Sequence, residues 1–496
     1  MASDLSTDLV RADVAVVGAG AAGIYAALSA AHSGAGVVLV SRSPLAASAS
    51  YWAQGGVAAA LAAEDSPESH AEDTMAAGRG LCRPSAVQAL CQDAPARVQE
   101  LIDLGVRFDA DRTGALALGL EGGHSHRRVA HAGGAATGRR ITRQLSALAA
   151  AHPLITILEG ASADALWIQD GRCIGLRAAP ARAASPPCPA GIVASATILA
   201  TGGAAALWKR TTNPRGAIGA GMSLARHAGA RLADLELLQF HPTALVADDE
   251  NDGFLITEAV RGEGALLLDA DGERFVDELA PRDVVALAVK HQLEKGGGRS
   301  VGLDLRPVDM SRFPNIQAAL VRAGLDPSAA PVPVAPAAHY MMGGIATDLD
   351  GRSSIPGLFA VGECACTGLH GANRIASNSL AECVVFSHRA VQVLGSEPAP
   401  PASPGPPPEP APSPVPPAET REALSLLAGL ERTPEDLEAL SGDPFPLARL
   451  IALSALARKE SRGAHQRADF PEEDPALAGM HTVIDGNAGP ALEHWD

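Results

Sequence analysis

The sequence predicts an α/β protein in which a parallel-sheet domain is interrupted by an inserted domain and followed by a short helical domain. Three places where a short apolar run ends in glycine support this prediction. They are residues 14–23 (VAVVGAGAAG), 191–203 (ending in ATGG) and 357–363 (GLFAVGE). Buried parallel strands read as such apolar runs closed by turn residues. One run lies near the start and two lie far downstream, so we expect the chain to leave this domain and return to it.

The first run has the G-x-G-x-x-G pattern of a dinucleotide-binding βαβ unit. Gly18 permits the tight turn, Gly20 lets the backbone approach a pyrophosphate, and Gly23 lets the next helix pack on the strand. The phosphates would lie at the helix N-terminus, where unpaired N–H groups favour anions. A second strand is predicted at 36–40. Together these features predict a Rossmann-like domain.

The residues after the second predicted strand leave the nucleotide open. Ser41 and Arg42 stand where an NAD site would carry an acidic residue for the ribose hydroxyls. An arginine there could meet a 2′-phosphate. From the residues alone, NADP therefore remains possible beside NAD.

The composition limits the classes of function. A chain of 496 residues, 47% apolar and 19% charged, is typical of a globular protein of two or three domains. The net charge of −17 disfavours nucleic acid or an anionic membrane as the main partner. The seven cysteines lack metal-ligand spacing, which predicts reduced thiols, a cytoplasmic protein and no metal site. We find no apolar run long enough to span a bilayer.

Periodicity and composition divide the rest of the chain. Residues 67–108 have helical periodicity ending at Gly105, and residues 419–469 have it again. Residues 396–418 are rich in proline and too poor in apolar side chains to pack, which predicts an extended linker. The predicted units are a sheet domain (1–234 and 339–395), an inserted domain (235–338), the Pro-rich linker (396–418) and a helical C-terminal domain (419–496).

Candidate chemistry is concentrated in four polar stretches. They are EGGHSHRR (121–128), FHPT (240–243), TEAVRGEG (257–264) and LAPRD (279–283). The last three fall in the inserted domain. Taken singly, each stretch is also explained by a solvated loop or an ordinary salt bridge.

Taken together, motifs along nearly the whole chain resemble one family. The matching stretches are GAGAAG (18–23), AQGG (53–56), EGGHSHRR (121–128), ATGG (200–203), QFHPT (239–243), TEAVRGEGA (257–265), LAPRD (279–283), AAHYMMGG (337–344), GLFAVGE (357–363), GLHGANRIASNSL (368–380) and RKESRGAH (458–465). In this order they resemble the succinate dehydrogenase/fumarate reductase flavoprotein family and, within it, its L-aspartate oxidase branch. The resemblance implies an FAD-binding domain interrupted by an α+β capping domain.

The resemblance also implies FAD, rather than NAD or NADP, as the cofactor. Respiratory members hold their flavin covalently through a histidine four residues before AQGG; Ala49 stands there and has no nucleophile, so non-covalent FAD is expected. Ala220 stands where the family usually has an aspartate, so one FAD contact is expected to be missing. The residues that the resemblance assigns to FAD are Gly18, Ala19, Gly20, Ala21, Ala22, Gly23, Ser41, Arg42, Ala49, Ser50, Tyr51, Trp52, Ala53, Gln54, Gly55, Gly56, Glu363, Ser379 and Leu380.

Five further residues are assigned to the substrate by the resemblance. Arg374 with His339 would hold one carboxylate of a four-carbon dicarboxylate, and His241 with Thr257 would hold the other. Arginine and charged histidine give charge-assisted hydrogen bonds of about twice the ordinary strength. Glu121 matches the L-aspartate oxidase pattern, in which a carboxylate can pair with the α-ammonium group that succinate and fumarate lack.

Three residues are assigned to proton transfer in the same way. Arg282 matches the family's proton donor or acceptor, and Glu258 and Arg261 match the relay that supplies it. The implied reaction is FAD-dependent oxidation of L-aspartate to iminoaspartate, the first step of NAD biosynthesis through quinolinate. The electrons would pass to O₂, giving H₂O₂, or to fumarate, and a functional link to quinolinate synthase is expected.

Two alternatives remain at this point. One is a soluble fumarate reductase or succinate dehydrogenase-like flavoprotein, which Ala49 and Glu121 disfavour. The other is a flavin-binding protein with degraded catalysis that acts as a partner or scaffold. Ala220 and a shortened C-terminal domain favour that reading weakly, and the intact polar motifs oppose it.

Overall fold

The structure is a computed structural model that describes residues 9–45, 48–182, 185, 188–247, 251–297, 301–411, 415–486 and 488–496. Residues 1–8 of the predicted sheet domain and residues 412–414 of the predicted linker lie outside these ranges. The strands are β1 (Leu9–Val17), β2 (Val37–Ser41), β3 (Val57–Ala58), β4 (Leu118–Gly119), β5 (Val129–Ala130), β6 (Ile155–Glu159), β7 (Ala161–Gln169), β8 (Arg172–Pro180), β9 (Gly191–Leu199), β10 (Leu232–Ala233), β11 (Leu238–Leu245), β12 (Leu266–Leu268), β13 (Val301–Asp304), β14 (Val332–Met341), β15 (Gly344–Ala346), β16 (Leu358–Ala360), β17 (Ala365–Cys366), β18 (Met480–Ile484) and β19 (Ala491–His494). The helices are α1 (Ala21–His32), α2 (Pro67–Ala77), α3 (Pro84–Asp103), α4 (Thr137–Ala151), α5 (Ala220–His227), α6 (Ala259–Gly262), α7 (Arg282–Lys295), α8 (Pro314–Arg322), α9 (Asn378–Val393), α10 (Ala418–Leu427), α11 (Pro434–Leu440) and α12 (Pro446–Ala457).

The main sheet is built around β1 and β9. Strands β6, β2, β1 and β9 lie side by side and parallel. The other edge of β9 is shared by β16, which is parallel to it, and β8, which is antiparallel and continues into β7. The apolar residues of β1 and β2 are buried between layers on both faces, as a parallel sheet requires.

The three glycine-terminated runs end on neighbouring strands. They are β1, β9 and β16, so their turns open at one end of the sheet. Segments far apart in sequence therefore form one nucleotide-binding surface. The carboxyl ends of parallel strands are the usual place for a ligand in such a sheet.

The inserted segment forms a separate layer with its own core. Strands β11, β14, β13 and β12 make an antiparallel sheet, against which α7 and α8 pack. This α+β unit carries the FHPT, TEAVRGEG and LAPRD stretches. It is the capping domain of the predicted fold class.

Helical periodicity was predicted over residues 419–469, and the structure has the helices α10, α11 and α12 there, which end at Ala457. The C-terminal segment also contains two strands that were not predicted. Strands β18 and β19 extend a sheet formed by β17, β15 and β10. The β7–β8 hairpin was also not predicted. Strand β18 pairs with the distant β10, which periodicity does not reveal. The β7–β8 hairpin is local: it turns at Asp170 and Gly171, both with positive φ, and this Asp-Gly pair is a hairpin signal present in the sequence.

The region 67–108 is helical, as expected, and consists of two helices, α2 and α3, because the chain turns at residues 78–83. One local expectation was wrong. The Pro-rich segment does pack along the main sheet domain: Arg11 donates to the Pro401 carbonyl (3.3 Å), and the buried Ala411 donates its N–H to the Asp164 carbonyl (2.8 Å). An extended chain with few apolar side chains can still dock through its carbonyl groups and one small residue.

Across the described ranges, no helix is both long enough and apolar enough to cross a membrane.

Candidate active site

The glycine turn after β1 leaves room only for backbone. Gly18 has a φ of +108°, and a Cβ there would lie 2.2 Å from the Ala200 carbonyl oxygen. A Cβ on Gly23 would lie 1.9 Å from the Gly18 carbonyl oxygen. Gly20 is the N-cap of α1, so the first N–H groups of that helix face the turn. This is an anion-binding helix N-terminus. The other predicted residues of the turn are buried: Ala19, Ala21 and Ala22.

Residues 49–52 lie across the N-terminus of α1. Ala49–Trp52 form a 3₁₀ turn, and Ser50 Oγ accepts a hydrogen bond from the Ala21 N–H (3.1 Å). Tyr51 lies under the Arg139 guanidinium, and Trp52 is 60% exposed. Ser50 therefore lies at the N-terminus of α1.

The AQGG loop, Ala53–Gly56, joins the two domains. The side-chain amide of Gln54 donates to the Leu255 carbonyl of the cap (2.8 Å), and the Gly56 N–H donates to Ser377 Oγ (3.0 Å). The side-chain oxygen Oε1 of Gln54 is buried without a hydrogen-bond partner among the described residues. A Cβ on Gly55 would lie 3.2 Å from Ser377 Oγ. Tight backbone and a free acceptor fit a bound cofactor.

The second and third glycine turns meet at Glu363. Its Oε1 accepts a hydrogen bond from the Met341 N–H (3.0 Å), and a Cβ on Gly203 would lie 2.1 Å from that oxygen. Burial raises the pKa of Glu363 to about 7. Beside it, Thr201 Oγ1 is buried with no partner among the described residues. These groups fit a ligand that offers hydroxyl or phosphate groups.

The remaining predicted FAD residues are placed unequally. Ser41 is buried at the end of β2, whereas Arg42 is exposed. Ser379 and Leu380 lie in the first turn of α9. Ala220 is half-buried at the start of α5, where the preceding Gly219 donates its N–H to the Gly203 carbonyl.

The two predicted substrate histidines face each other. The rings of His241 on β11 and His339 on β14 lie 5.1 Å apart, and Thr212 Oγ1 contacts His339 Nδ1 (2.7 Å). Burial, aided by nearby arginines, moves the pKa of both histidines well below the usual value. The expectation that they add positive charge was therefore wrong. They offer neutral donors, and arginine supplies the charge. Thr257 is buried before α6.

Arg374 is the buried cation of this group. Its guanidinium lies 4.6 Å from the centre of the Tyr340 ring, and its Nε has no hydrogen-bond partner among the described residues. Burial, followed by repulsion from Arg282, lowers the pKa of Arg374 to about 10. It remains protonated at neutral pH. A buried, incompletely satisfied guanidinium is a strong site for a carboxylate.

The predicted proton-transfer residues are in direct contact. Arg282 Nε donates to Glu258 Oε2 (2.8 Å), and Arg261 Nη2 lies 3.5 Å from the same oxygen. The two guanidinium groups hold the pKa of Glu258 below its usual value despite its burial. Arg282 is the first residue of α7, so its backbone is fixed by the helix.

Glu121 is buried at the edge of this cluster. Its Oε2 accepts from Ser377 Oγ (2.5 Å), and its Oε1 lies 3.1 Å from His131 Nε2. Burial opposes ionisation, but His131 and Ser377 outweigh it and lower the pKa of Glu121 to about 2. A Cβ on the next residue, Gly122, would lie 2.0 Å from Glu258 Oε1. The Glu121 stretch therefore packs against the relay.

Sequence analysis missed three residues that the structure brings to the site. Gln239 accepts from Arg282 Nη1 (3.0 Å) and donates to the Arg374 carbonyl (2.8 Å). His131 holds Glu121, as described above. Tyr340 donates to Glu382 (2.6 Å) beneath Arg374. The QFHPT and AAHYMMGG motifs contain Gln239 and Tyr340, so their motif membership was the available signal.

Comparisons with known proteins agree with this arrangement. Residues 13–380 match the family described as FAD binding domain, and residues 439–495 match the family described as fumarate reductase flavoprotein C-term. The L-aspartate oxidase of Caulobacter vibrioides is 44% identical over 97% of this chain and 97% of that protein. That of Streptomyces coelicolor is 40% identical over 96% and 91%. The chain belongs to the L-aspartate oxidase family.

A solved structure supports the same relationship. A mutant E. coli quinol fumarate reductase is 31% identical and superposes with a TM-score of 0.88 over 99% of this chain and 97% of that one. The L-aspartate oxidase family thus shares its fold with the fumarate reductase flavoproteins. FAD is the cofactor, and the chain is a FAD-dependent oxidoreductase. The glycine turns, the open helix N-terminus and the unpartnered polar atoms fit FAD.

Proposed function

We propose that this protein is an L-aspartate oxidase that converts L-aspartate to iminoaspartate and passes the electrons to O₂, giving H₂O₂, or to fumarate. The observation that carries the proposal is an ionised, buried Glu121 carboxylate beside a cluster of arginines and histidines. A dicarboxylate alone needs only the cationic groups. A substrate with an added ammonium group also needs a fixed negative charge, and Glu121 supplies it.

The dicarboxylate is held from both domains. Arg374 comes from the FAD-binding domain, and His241 and Thr257 come from the cap. His339 lies on β14, where the chain returns from the cap. Gripping both ends of the substrate orients its central carbon, which is the kind of positioning that contributes much of a rate enhancement.

Arg282 is the residue we assign to proton transfer. Its contacts with Glu258 and Gln239 hold the guanidinium in place, and Arg261 lies on the far side of Glu258. A carboxylate hydrogen-bonded to Arg282 and ion-paired with Arg261 supports a proton path through Glu258. When bound, FAD supplies the two-electron chemistry, while the protein supplies orientation and charge.

The identity of the acceptor and the setting are part of the proposal. Similarity to fumarate reductase supports fumarate as an alternative to O₂. Iminoaspartate hydrolyses in water, so we propose that it is passed to the enzyme that condenses it to quinolinate. The seven cysteines are free, which supports the reducing cytoplasm. Ala49 supports non-covalent FAD.

The test is peroxide release by the purified, FAD-loaded protein with L-aspartate, D-aspartate and succinate in separate assays. We expect peroxide from L-aspartate alone. Flavin reduction by succinate with a dye acceptor would favour the succinate dehydrogenase-like alternative. A bound flavin that none of the three substrates reduces would refute the proposal and favour a non-catalytic role.

A further inference from the structure

His131 is the partner of Glu121, and the rest of the proposed site leaves it without a role. Its Nε2 lies 3.1 Å from Glu121 Oε1, and its side chain is 17% exposed, whereas that of Glu121 is 3% exposed. The pair therefore connects a buried carboxylate in the substrate cluster with the solvent side. No other imidazole is within hydrogen-bond distance of Glu121 among the described residues.

The His131 ring is held in one orientation. A Cβ on Gly119 would lie 2.7 Å from the ring carbon Cε1, so the strand β4 packs closely against it. The Asp109 N–H donates to the His131 carbonyl (2.7 Å), which fixes the backbone. Because the ring is fixed, its N–H also fixes the direction of the Glu121 carboxylate.

The second Glu121 oxygen is committed to structure. It accepts from Ser377 Oγ, and that oxygen in turn accepts from the Gly56 N–H. Ser377 is the N-cap residue of α9 and has a φ of +62°. Releasing Ser377 would disturb the AQGG loop. Carboxylate oxygens accept more than one hydrogen bond, so an ammonium group can join this carboxylate without displacing Ser377. It would then lie beside His131.

A protonated His131 and an ammonium group would repel each other across one carboxylate. Opposite charges favour the protonated imidazole while Glu121 has no other cation. Once the ammonium group is present, it competes for the same negative charge. The complex of Glu121 with both partners therefore has its lowest free energy when the His131 imidazole is neutral and still donates its Nε2–H to Glu121.

We propose that His131 is a specificity-determining positioning residue that aims Glu121 at the substrate's amino group and loses one proton to solvent when that group binds. The inference rests on the proposed function, because it requires Glu121 to receive the ammonium. Recognition of amine-bearing dicarboxylates is then linked to pH through His131. Recognition of amine-free dicarboxylates at the same site is not.

The charged groups around the pair favour a protonated His131 before the ammonium group binds. Burial lowers the pKa of His131, but the hydrogen bond to Glu121 and the charges of Glu121 and Asp109 outweigh it and raise that pKa above its usual value. On the other side of Glu121, burial keeps the pKa of His124 below its usual value, so His124 stays neutral. Glu258 is the next carboxylate, and the two guanidiniums described above keep it ionised. His131 is therefore the one group of this set whose protonated form is favoured by its surroundings.

The experiment compares two ligands that differ only at the amino group. α-Methyl-L-aspartate carries the ammonium but has no hydrogen on the carbon to be oxidised; 2,2-dimethylsuccinate has a methyl group in place of the ammonium. Each is titrated into the FAD-loaded protein by anaerobic calorimetry in buffers of different ionisation enthalpy. The difference in protons released isolates the amino group from any effect on His241 and His339.

In the wild type we expect α-methyl-L-aspartate to release more protons than 2,2-dimethylsuccinate, by up to one per site. Its affinity should rise by up to about tenfold per pH unit until the His131 of the free protein is itself neutral. In His131→Gln, which keeps an N–H donor but does not titrate, this difference should vanish. The control variant is His126→Gln, which replaces a nearby exposed histidine. We expect this variant to keep the difference in proton release between the two ligands.

Equal proton release by the two ligands in the wild type, or an unchanged difference in His131→Gln, would overturn the inference. Unchanged flavin content and 2,2-dimethylsuccinate affinity verify that the variant is folded. If it does not fold, His131→Asn gives the same test, because it also offers an amide N–H and does not titrate while Glu121 keeps its charge. Anaerobic bleaching of the wild-type flavin by L-aspartate reports on the proposed function separately; without bleaching, both proposals fail.

Discussion

Replacing Gly18 by alanine should abolish FAD binding, and the reason lies in the backbone around it. The φ of +108° costs an L-residue about 1–2 kcal/mol. The added Cβ would also lie 2.2 Å from the Ala200 oxygen and 2.7 Å from the Ala200 carbonyl carbon. Both are main-chain atoms of the neighbouring β9 segment, so no side chain can move aside.

Relief of this contact requires β1 and β9 to separate by about 1 Å. One hydrogen bond holds them together there, from the Ala200 N–H to the Val17 carbonyl (2.8 Å), while the Gly18 N–H ties the turn to β2 through the Val40 carbonyl (2.9 Å). Stretching the buried bond between β1 and β9 costs about 1–3 kcal/mol. With the strain, the total is about 2–5 kcal/mol. We propose that the same turn holds the pyrophosphate, so a loss of about 3 kcal/mol in binding corresponds to over 100-fold in affinity.

Gly34→Ala is the matched control. Gly34 also has a positive φ, +91°, but its Cβ would meet nothing within 4 Å. It should lose about 1 kcal/mol of stability and keep its affinity for FAD. FAD titration of the apoproteins by flavin fluorescence, with melting temperatures, measures both quantities. Equal FAD affinity in the two variants would refute the reasoning.

Four further outcomes are expected. Arg282→Lys should slow anaerobic flavin reduction by L-aspartate by about 10²–10⁴-fold at unchanged FAD content; stopped-flow absorbance within tenfold of wild type would contradict this. Glu121→Gln should lose L-aspartate oxidation while fumarate reduction by a reduced dye stays within a few-fold; equal loss of both would remove the ammonium-pairing role. Ala220→Asp should tighten FAD severalfold in the same fluorescence titration, by restoring one hydrogen bond, and an unchanged dissociation constant would count against it. The pKa of Glu121 falls from 4.5 to about 2 on folding, so its contribution to stability is present above about pH 4.5 and is lost as the pH falls toward 2. The melting temperature of Glu121→Gln should therefore depend less on pH in that window, which differential scanning fluorimetry can measure.

The sequence supported predictions wherever the signal is local. The glycine turn at Gly18 needs only contiguous residues, and the apolar runs before it and at β16 are short buried strands. Motif order then placed Arg282, Glu258 and Arg374 in one site by resemblance. The structure brings Arg282 into contact with Glu258 and links Arg282 through Gln239 to the Arg374 backbone. Their roles remain proposals.

Other features could not be predicted because they depend on contacts between distant segments. The Pro-rich segment was expected not to pack because of its composition. Composition does not show the contacts with distant residues that bury Ala411. The charge of His241 and His339 was misjudged because burial and neighbouring arginines, not residue type, decide their pKa. Strands β18 and β19 were missed because their partner, β10, lies far away in the chain.

By itself, the sequence determined the family, the cofactor-binding turn and the residue types available for chemistry, because these are written in short stretches whose geometry is local. The tertiary structure alone decided how those residues act on one another. It set which carboxylate lies between two guanidiniums, which histidines are neutral, and that His131 meets Glu121. Electrostatic effects depend on distance and burial, and both are fixed only when segments far apart in the chain are packed together.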